Sequence, residues 1–207
     1  MPLPNLPPDL IQKVNEDRQY HLLVDESASM NTGDCPGGSR WITAKEIVGL
    51  IALEAQKYDA DGKIGLTFFG NNVNRVGEVT AAEVPEKFPA GAFGMATKLG
   101  AALDAEFKAY FTSGSDQPVT YIVLTDGEAS DKQIVKQALK NAADACGNGD
   151  KIAVGIWQIG YDSTAAAFLQ YLDDNLGEID ITDTQPMDSL ITNLGNIGLL
   201  MAAAVVD

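Results

Sequence analysis

The feature that most constrains this chain is alternation. From Tyr20 onward, short apolar runs of strand length trade places with longer segments of helical period. YHLLVD (20–25), KIGLTFFG (63–70), VNRVGEV (73–79), PVTYIVLTD (118–126), KIAVGIWQIG (151–160) and EIDIT (178–182) read as six strands. ITAKEIVGLIALEAQKY (42–58), TKLGAALDAEFKAYF (97–111), DKQIVKQALKNAADAC (131–146) and STAAAFLQYLDDNL (163–176) read as helices, and a last helix spans 186–203. The first helix carries its period in Ile47, Leu50, Ile51 and Leu53. Gly70 to Asn72 form a tight turn, so the third strand folds back on the second, and its Asn74 and Arg75 suit an exposed edge. Ser130 and Gln133 have capping-box spacing before the helix at 131–146, and Gly177 stands as the terminator of the next one.

Strands alternating with helices predict an α/β fold, a doubly wound and mostly parallel six-stranded sheet with helices on both faces. With right-handed crossovers, one order open to these strands, and the one expected here, is 3-2-1-4-5-6, with strand 3 antiparallel. Residues 1–19 form a Pro-rich N-terminal lead-in, and 20–207 form one domain. In that order strands 1 and 4 are neighbours from which the chain winds in opposite directions. Ligands of such sheets bind at the carboxyl ends of the strands at that switch point.

Composition narrows the partners. A formal net charge of −15 repels phosphate backbones and so argues against nucleic acid, but it suits a cation. No apolar stretch is long enough for a membrane helix, and the N-terminus has neither the basic flank nor the apolar core of a secretory signal. A cytoplasmic protein without a membrane partner is the expectation. Cys35 and Cys146 have no zinc-ligand spacing and are expected as free thiols, separated by the length of a helix.

Strand 1 ends at Asp25, followed at alternate positions by Ser27 and Ser29, and strand 4 ends at Asp126. A third loop, GAFGMATKLG (91–100), offers the hydroxyl of Thr97. Two close carboxylates repel unless a proton or cation lies between them, and oxygen-only donors select Mg²⁺, Mn²⁺ or Ca²⁺. The blander readings are local: Asp25 and the serines as a helix cap or hydroxyl turn, and Thr97 as a cap of its own helix.

This constellation resembles the von Willebrand factor type A domain with its metal-ion-dependent adhesion site. That family's pattern is DxSxS after strand 1, a Thr in a later loop and an Asp after strand 4. DESAS at 25–29, ATKLG at 96–100 and LTDGEAS at 124–130 match it, over a resemblance that covers about 20–203. Ala28 and Ala96 stand where the family usually has Gly. The resemblance implies Asp25, Ser27, Ser29, Thr97 and Asp126 as ligands of a divalent ion, Mg²⁺ first and Mn²⁺ or Ca²⁺ as alternatives. It further implies a non-enzymatic module that binds a protein partner through that partner's Asp or Glu carboxylate. Relatives of this bacterial intracellular type include tellurium-resistance-associated stress assemblies.

The competing reading is a Mg²⁺-dependent phosphohydrolase-like enzyme, since Mg²⁺ at a sheet's carboxyl end also serves phosphoryl transfer. Against it, Ser27 stands where one large group of such enzymes places a second Asp. GDCPGGSR (33–40) approaches a phosphate loop but has Ser39 where the Lys is required. His21 lies four residues before Asp25, about 13 Å along the strand, too far to activate either serine. Phe68, Phe69, Tyr121 and Trp157 read as core. Trp41 either contacts a partner or anchors the following helix, and Arg40 pairs either with an acidic ligand or with a surface Glu.

Overall fold

The computed structural model describes residues 18–57, 61–146, 151–174 and 181–205. Six strands form one sheet: β1 Gln19–Asp25, β2 Ile64–Phe69, β3 Val73–Val79, β4 Val119–Thr125, β5 Ile152–Gln158 and β6 Thr182–Gln185. Their order is β3-β2-β1-β4-β5-β6, and every pairing is parallel except that of β2 with β3. This is the order expected from the alternation. β4 and β5 are buried at all seven positions each, as central parallel strands covered on both faces require. β3 is the edge. It leaves Asn74 and Arg75 exposed and breaks register against β2 between Leu66 and Thr67, where Leu66 pairs Gly77 and Thr67 pairs Arg75.

Among the described residues seven helices flank the sheet: α1 Arg40–Ala55, α2 Val84–Lys87, α3 Leu99–Ser113, α4 Lys132–Cys146, α5 Ser163–Asp174, α6 Met187–Asn193 and α7 Ile197–Ala203. Successive strand residues point to opposite faces, so each strand feeds two cores. Leu22, Val24, Ile122 and Leu124 pack with Ile47 and Ile51 of α1 and Leu200 of α7 on one face. Leu23, Tyr121 and Val123 pack with Leu103 of α3, Leu139 of α4 and Leu169 of α5 on the other. Among the described residues no helix is long and apolar enough to cross a membrane.

Several local expectations change. α1 buries Trp41, Ala44, Ile47, Val48, Ile51, Ala52 and Ala55, and leaves Leu50 and Leu53 exposed. Among the described residues the sixth strand is TDTQ at 182–185, set by backbone pairing with Val154–Trp157, and it shares only Thr182 with the described part of the expected 178–182. The segment 186–203 is two short helices joined by a 3₁₀ turn at Leu194–Asn196 that contains Gly195, a poor helix interior residue. The capping box does not form: Ser130 donates its hydroxyl to Thr97 O, and the backbone carbonyl of Asp131 accepts from Ile134 and Val135. Most of the lead-in, Tyr58, Gly177 and 178–180 lie outside the described residues. Cys35 and Cys146 are free thiols, as expected.

Candidate metal centre

β1 delivers Asp25 at its last position, where the chain leaves the sheet still extended. The side chain is buried, and its Oδ1 accepts the backbone N–H of Ser27 at 2.8 Å. That is a local Asx turn, closed by the carboxylate and not by a serine hydroxyl. The following residues, Ala28–Asn31, form one 3₁₀ turn, and Ser27 makes no side-chain cap to it. The Ser27 hydroxyl is instead free to meet the Ser29 hydroxyl at 3.0 Å. Ser29 Oγ in turn donates to Asp126 Oδ1 at 3.0 Å. A continuous polar chain therefore links Asp25, Ser27, Ser29 and Asp126 across the β1–β4 boundary.

Thr97 comes from the loop before α3. It does not cap that helix, which begins at Leu99. The exposed N–H groups of the first turn go elsewhere: Asp131 accepts from Gly100 N at 3.0 Å and Ala101 N at 2.9 Å. Thr97 O also accepts the Ser130 N–H at 2.9 Å. These bonds tie the Thr97 loop to the segment that follows Asp126. The Thr97 hydroxyl lies 3.9 Å from the point where a Cβ on Gly127 would stand. The five residues named from the sequence thus converge on one end of the sheet, four through hydrogen-bonded side chains and Thr97 through its backbone.

The electrostatics favour a cation. Burial pushes the Asp25 carboxyl up to about 6; the Thr125 hydroxyl and the Ser27 N–H oppose this, and the nearby charge of Asp126 adds to it. Asp126 is 1% exposed. Its second oxygen accepts Arg40 Nη1 at 2.8 Å. Arg40 also grips Asp34 with both remaining arms, Nε to Oδ1 at 2.9 Å and Nη2 to Oδ2 at 2.6 Å, which holds the Asp34 carboxyl below its usual range. So Arg40 pairs with Asp126, the acid expected as a ligand, which is the first of the two roles its sequence position left open. Trp41 takes the other: it is 4% exposed, packs on Phe68 and Phe88, and donates to Pro89 O at 3.2 Å.

Two contributors were not visible beforehand. Thr125 donates its hydroxyl to Asp25 Oδ2 at 2.7 Å. Its signal was slight, a hydroxyl closing an apolar strand one residue before Asp126. Gly160 has φ +90°, and a Cβ there would stand 2.4 Å from Arg40 Nε, so only glycine leaves room for the guanidinium. Nothing in the sequence around Gly160 points to a residue 120 positions earlier.

The donor set is two carboxylates and three hydroxyls. Among the described residues no group of three or more His, Cys, Asp or Glu side chains gathers at one point. All-oxygen donors with two buried acids fit a hard divalent ion. His21 lies elsewhere, half-buried beside Tyr121, with Nδ1 3.7 Å from Glu106 Oε2.

Neither family models nor curated protein sequences match this chain. Solved structures do. The VWA domain of SpRpn10 superposes with a TM-score of 0.60 at 16% identity, over 87% of this chain and 96% of that one. The manganese-loaded TRAP protein of Plasmodium vivax gives 0.57 at 17%, over 86% and 72%. An aerotolerance-related membrane protein from Bacteroides fragilis gives 0.53 at 21%, over 70% and 69%. With these superpositions, the strand order β3-β2-β1-β4-β5-β6 and helices on both faces of the sheet, the chain has the von Willebrand factor type A fold.

Proposed function

We propose that this protein is a metal-dependent protein-binding module, formed by 20–207 as one domain. Asp25, Ser27, Ser29, Thr97 and Asp126 would hold the ion, Mg²⁺ by preference and Mn²⁺ or Ca²⁺ as alternatives. The observation that carries the reading is the polar chain from Asp25 through Ser27 and Ser29 to Asp126. Four small side chains from two strand ends share one polar centre that packing alone does not call for. The manganese in the TRAP structure supports a divalent ion in this kind of fold.

When bound, the ion supplies an electropositive point that attracts an anion. With hydroxyls at three donor positions, the ligands bring few negative charges, and Arg40 offsets part of the charge on Asp126. An acidic chain can then still recruit a carboxylate. The partner is accordingly a protein that presents Asp or Glu, not a nucleic acid or a membrane. We assign no catalysis: among the described residues the hydroxyls of Ser27 and Ser29 bond each other and Asp126, and no histidine or lysine base stands with them. A bacterial, cytoplasmic stress assembly of the tellurium-resistance type is the setting we favour.

Calorimetry with MgCl₂ and MnCl₂ tests the reading directly. Saturable uptake by the wild type, lost in Asp25→Ala and in Ser27→Ala/Ser29→Ala with circular dichroism unchanged, is the expected result. A wild-type chain that takes up neither metal ends the proposal.

A further inference from the structure

Two large apolar side chains stand in the open next to the candidate metal centre. Phe93 is 78% exposed and Met95 is 91% exposed. Both belong to the loop that delivers Thr97. Single exposed apolar residues are ordinary on a protein surface, but a pair on a rigid loop beside a polar centre is not.

The loop is rigid. Ala28 N donates to Gly94 O and Gly94 N to Glu26 O, each at 2.7 Å, forming a parallel bridge between Ser27 and Gly94. Met95 N donates to Asn71 Oδ1 at 2.5 Å, and Asn31 Nδ2 donates to Ala92 O at 2.5 Å. A Cβ on Gly94 would stand 3.0 Å from Glu26 O, a close approach of the two backbones that a side chain would have to push apart by a few tenths of an ångström. Ala92, beside Phe93, is fully buried. The same few residues could have turned an apolar side chain inward, and instead both large ones face solvent. Neither joins a core cluster among the described residues.

The bridge also fixes the scale. Paired strands lie about 4.8 Å apart, so Phe93 and Met95 flank a residue that sits one strand spacing from Ser27. An extended peptide rises about 3.3 Å per residue. A side chain one to three residues from a carboxylate at the metal centre therefore reaches Phe93 or Met95. Methionine adapts to varied apolar shapes and the phenyl ring offers a flat face. The net charge of −15 disfavours further acids in whatever docks here.

We propose that Phe93 and Met95 form the apolar half of a docking surface whose polar half is the metal centre. The occupant is an extended protein segment with one Asp or Glu within three residues of a large apolar side chain, and with neutral or basic flanks. The inference rests on the function proposed above and adds the partner's sequence character.

The probe is a phage-displayed random dodecapeptide library, panned on the full chain in MgCl₂ and eluted with EDTA. The enriched peptides are synthesised and titrated by fluorescence polarisation. They should share an acid with an apolar neighbour inside three positions. Phe93→Ala/Met95→Ala should weaken them at least about tenfold while leaving Mn²⁺ uptake unchanged. Enriched peptides that lack the apolar residue, an unchanged affinity for the double variant, or a library without magnesium-dependent binders would each overturn the inference. So would sedimentation showing that the chain self-associates through Phe93, which would make a second copy the occupant. The underlying reading fails separately: peptides that bind Asp25→Ala as tightly as the wild type would remove the metal and leave the apolar rim standing.

Discussion

Arg40 Nη1 lies 2.8 Å from Oδ2 of Asp126, a carboxylate whose side chain is 0% exposed. A fixed positive charge therefore stands on one of the two acids at the candidate metal centre. Its other arms bind Asp34, so the same guanidinium ties the loop after β1 to the end of β4.

Arg40→Gln should tighten Mn²⁺ binding by about tenfold or more, because like charges a few ångströms apart repel strongly in a partly desolvated site. The same change strips Asp126 of its partner. In EDTA the melting temperature should fall by roughly 5–10 °C, given the cost of an unpaired buried charge in a chain of this size. Added MgCl₂ should recover much of that loss. Calorimetry and differential scanning fluorimetry read both effects, and an affinity that does not move would refute the charge argument.

Gly160→Ala should resemble Arg40→Gln. The added methyl would collide with the guanidinium, and the positive φ adds strain of about 1–2 kcal/mol. If Gly160→Ala melts with the wild type and binds metal alike, Arg40 is not held as described.

Asp131→Ala should loosen the Thr97 loop. It removes the acceptor for Gly100 N and Ala101 N at the start of α3, an interaction worth about 1–2 kcal/mol at a helix end. Faster amide exchange over 97–101 and a few-fold weaker Mn²⁺ affinity are expected. Exchange confined to α4 would show that the cross-element contact does not position Thr97.

Glu106 gives a pH-dependent prediction away from the centre. Burial raises its pKa, but His21, the Thr67 hydroxyl and Arg75 outweigh burial and leave it below the usual carboxylate range. A depressed folded pKa stabilises above the unfolded value, near 4.3, and that stabilisation is lost as pH falls through the folded value. Glu106→Gln should therefore cost about 1–3 kcal/mol at pH 7 and progressively less below about pH 4. Urea unfolding at pH 7, 5 and 3.5 measures the gap. A gap that stays constant across that range would remove the assigned ion pairs.

The fold was legible because burial on both faces leaves a mark on a single strand. β4 and β5 are buried along their whole length and mostly apolar, and the alternation with helices together with right-handed crossovers leaves few strand orders, of which 3-2-1-4-5-6 is the one found. Legibility failed where a neighbour decides the structure. β6 is TDTQ, whose burial is partial and whose pairing comes from β5. Ser130 has the letters of a cap, yet its hydroxyl is used by Thr97.

The candidate site divides in the same way. Asp25, Ser27, Ser29, Thr97 and Asp126 could be named from the sequence because each sits at a strand end or helix approach that the alternation locates. Only the tertiary structure decided that Thr125 holds Asp25, that Arg40 chooses Asp126 and Asp34, and that Gly160 makes room for it. Local sequence sets which side chains leave the sheet at its carboxyl end. Which of them meet is set by the packing of segments up to 120 residues apart, where a missing methyl or a shared acceptor weighs as much as the residue that carries the charge.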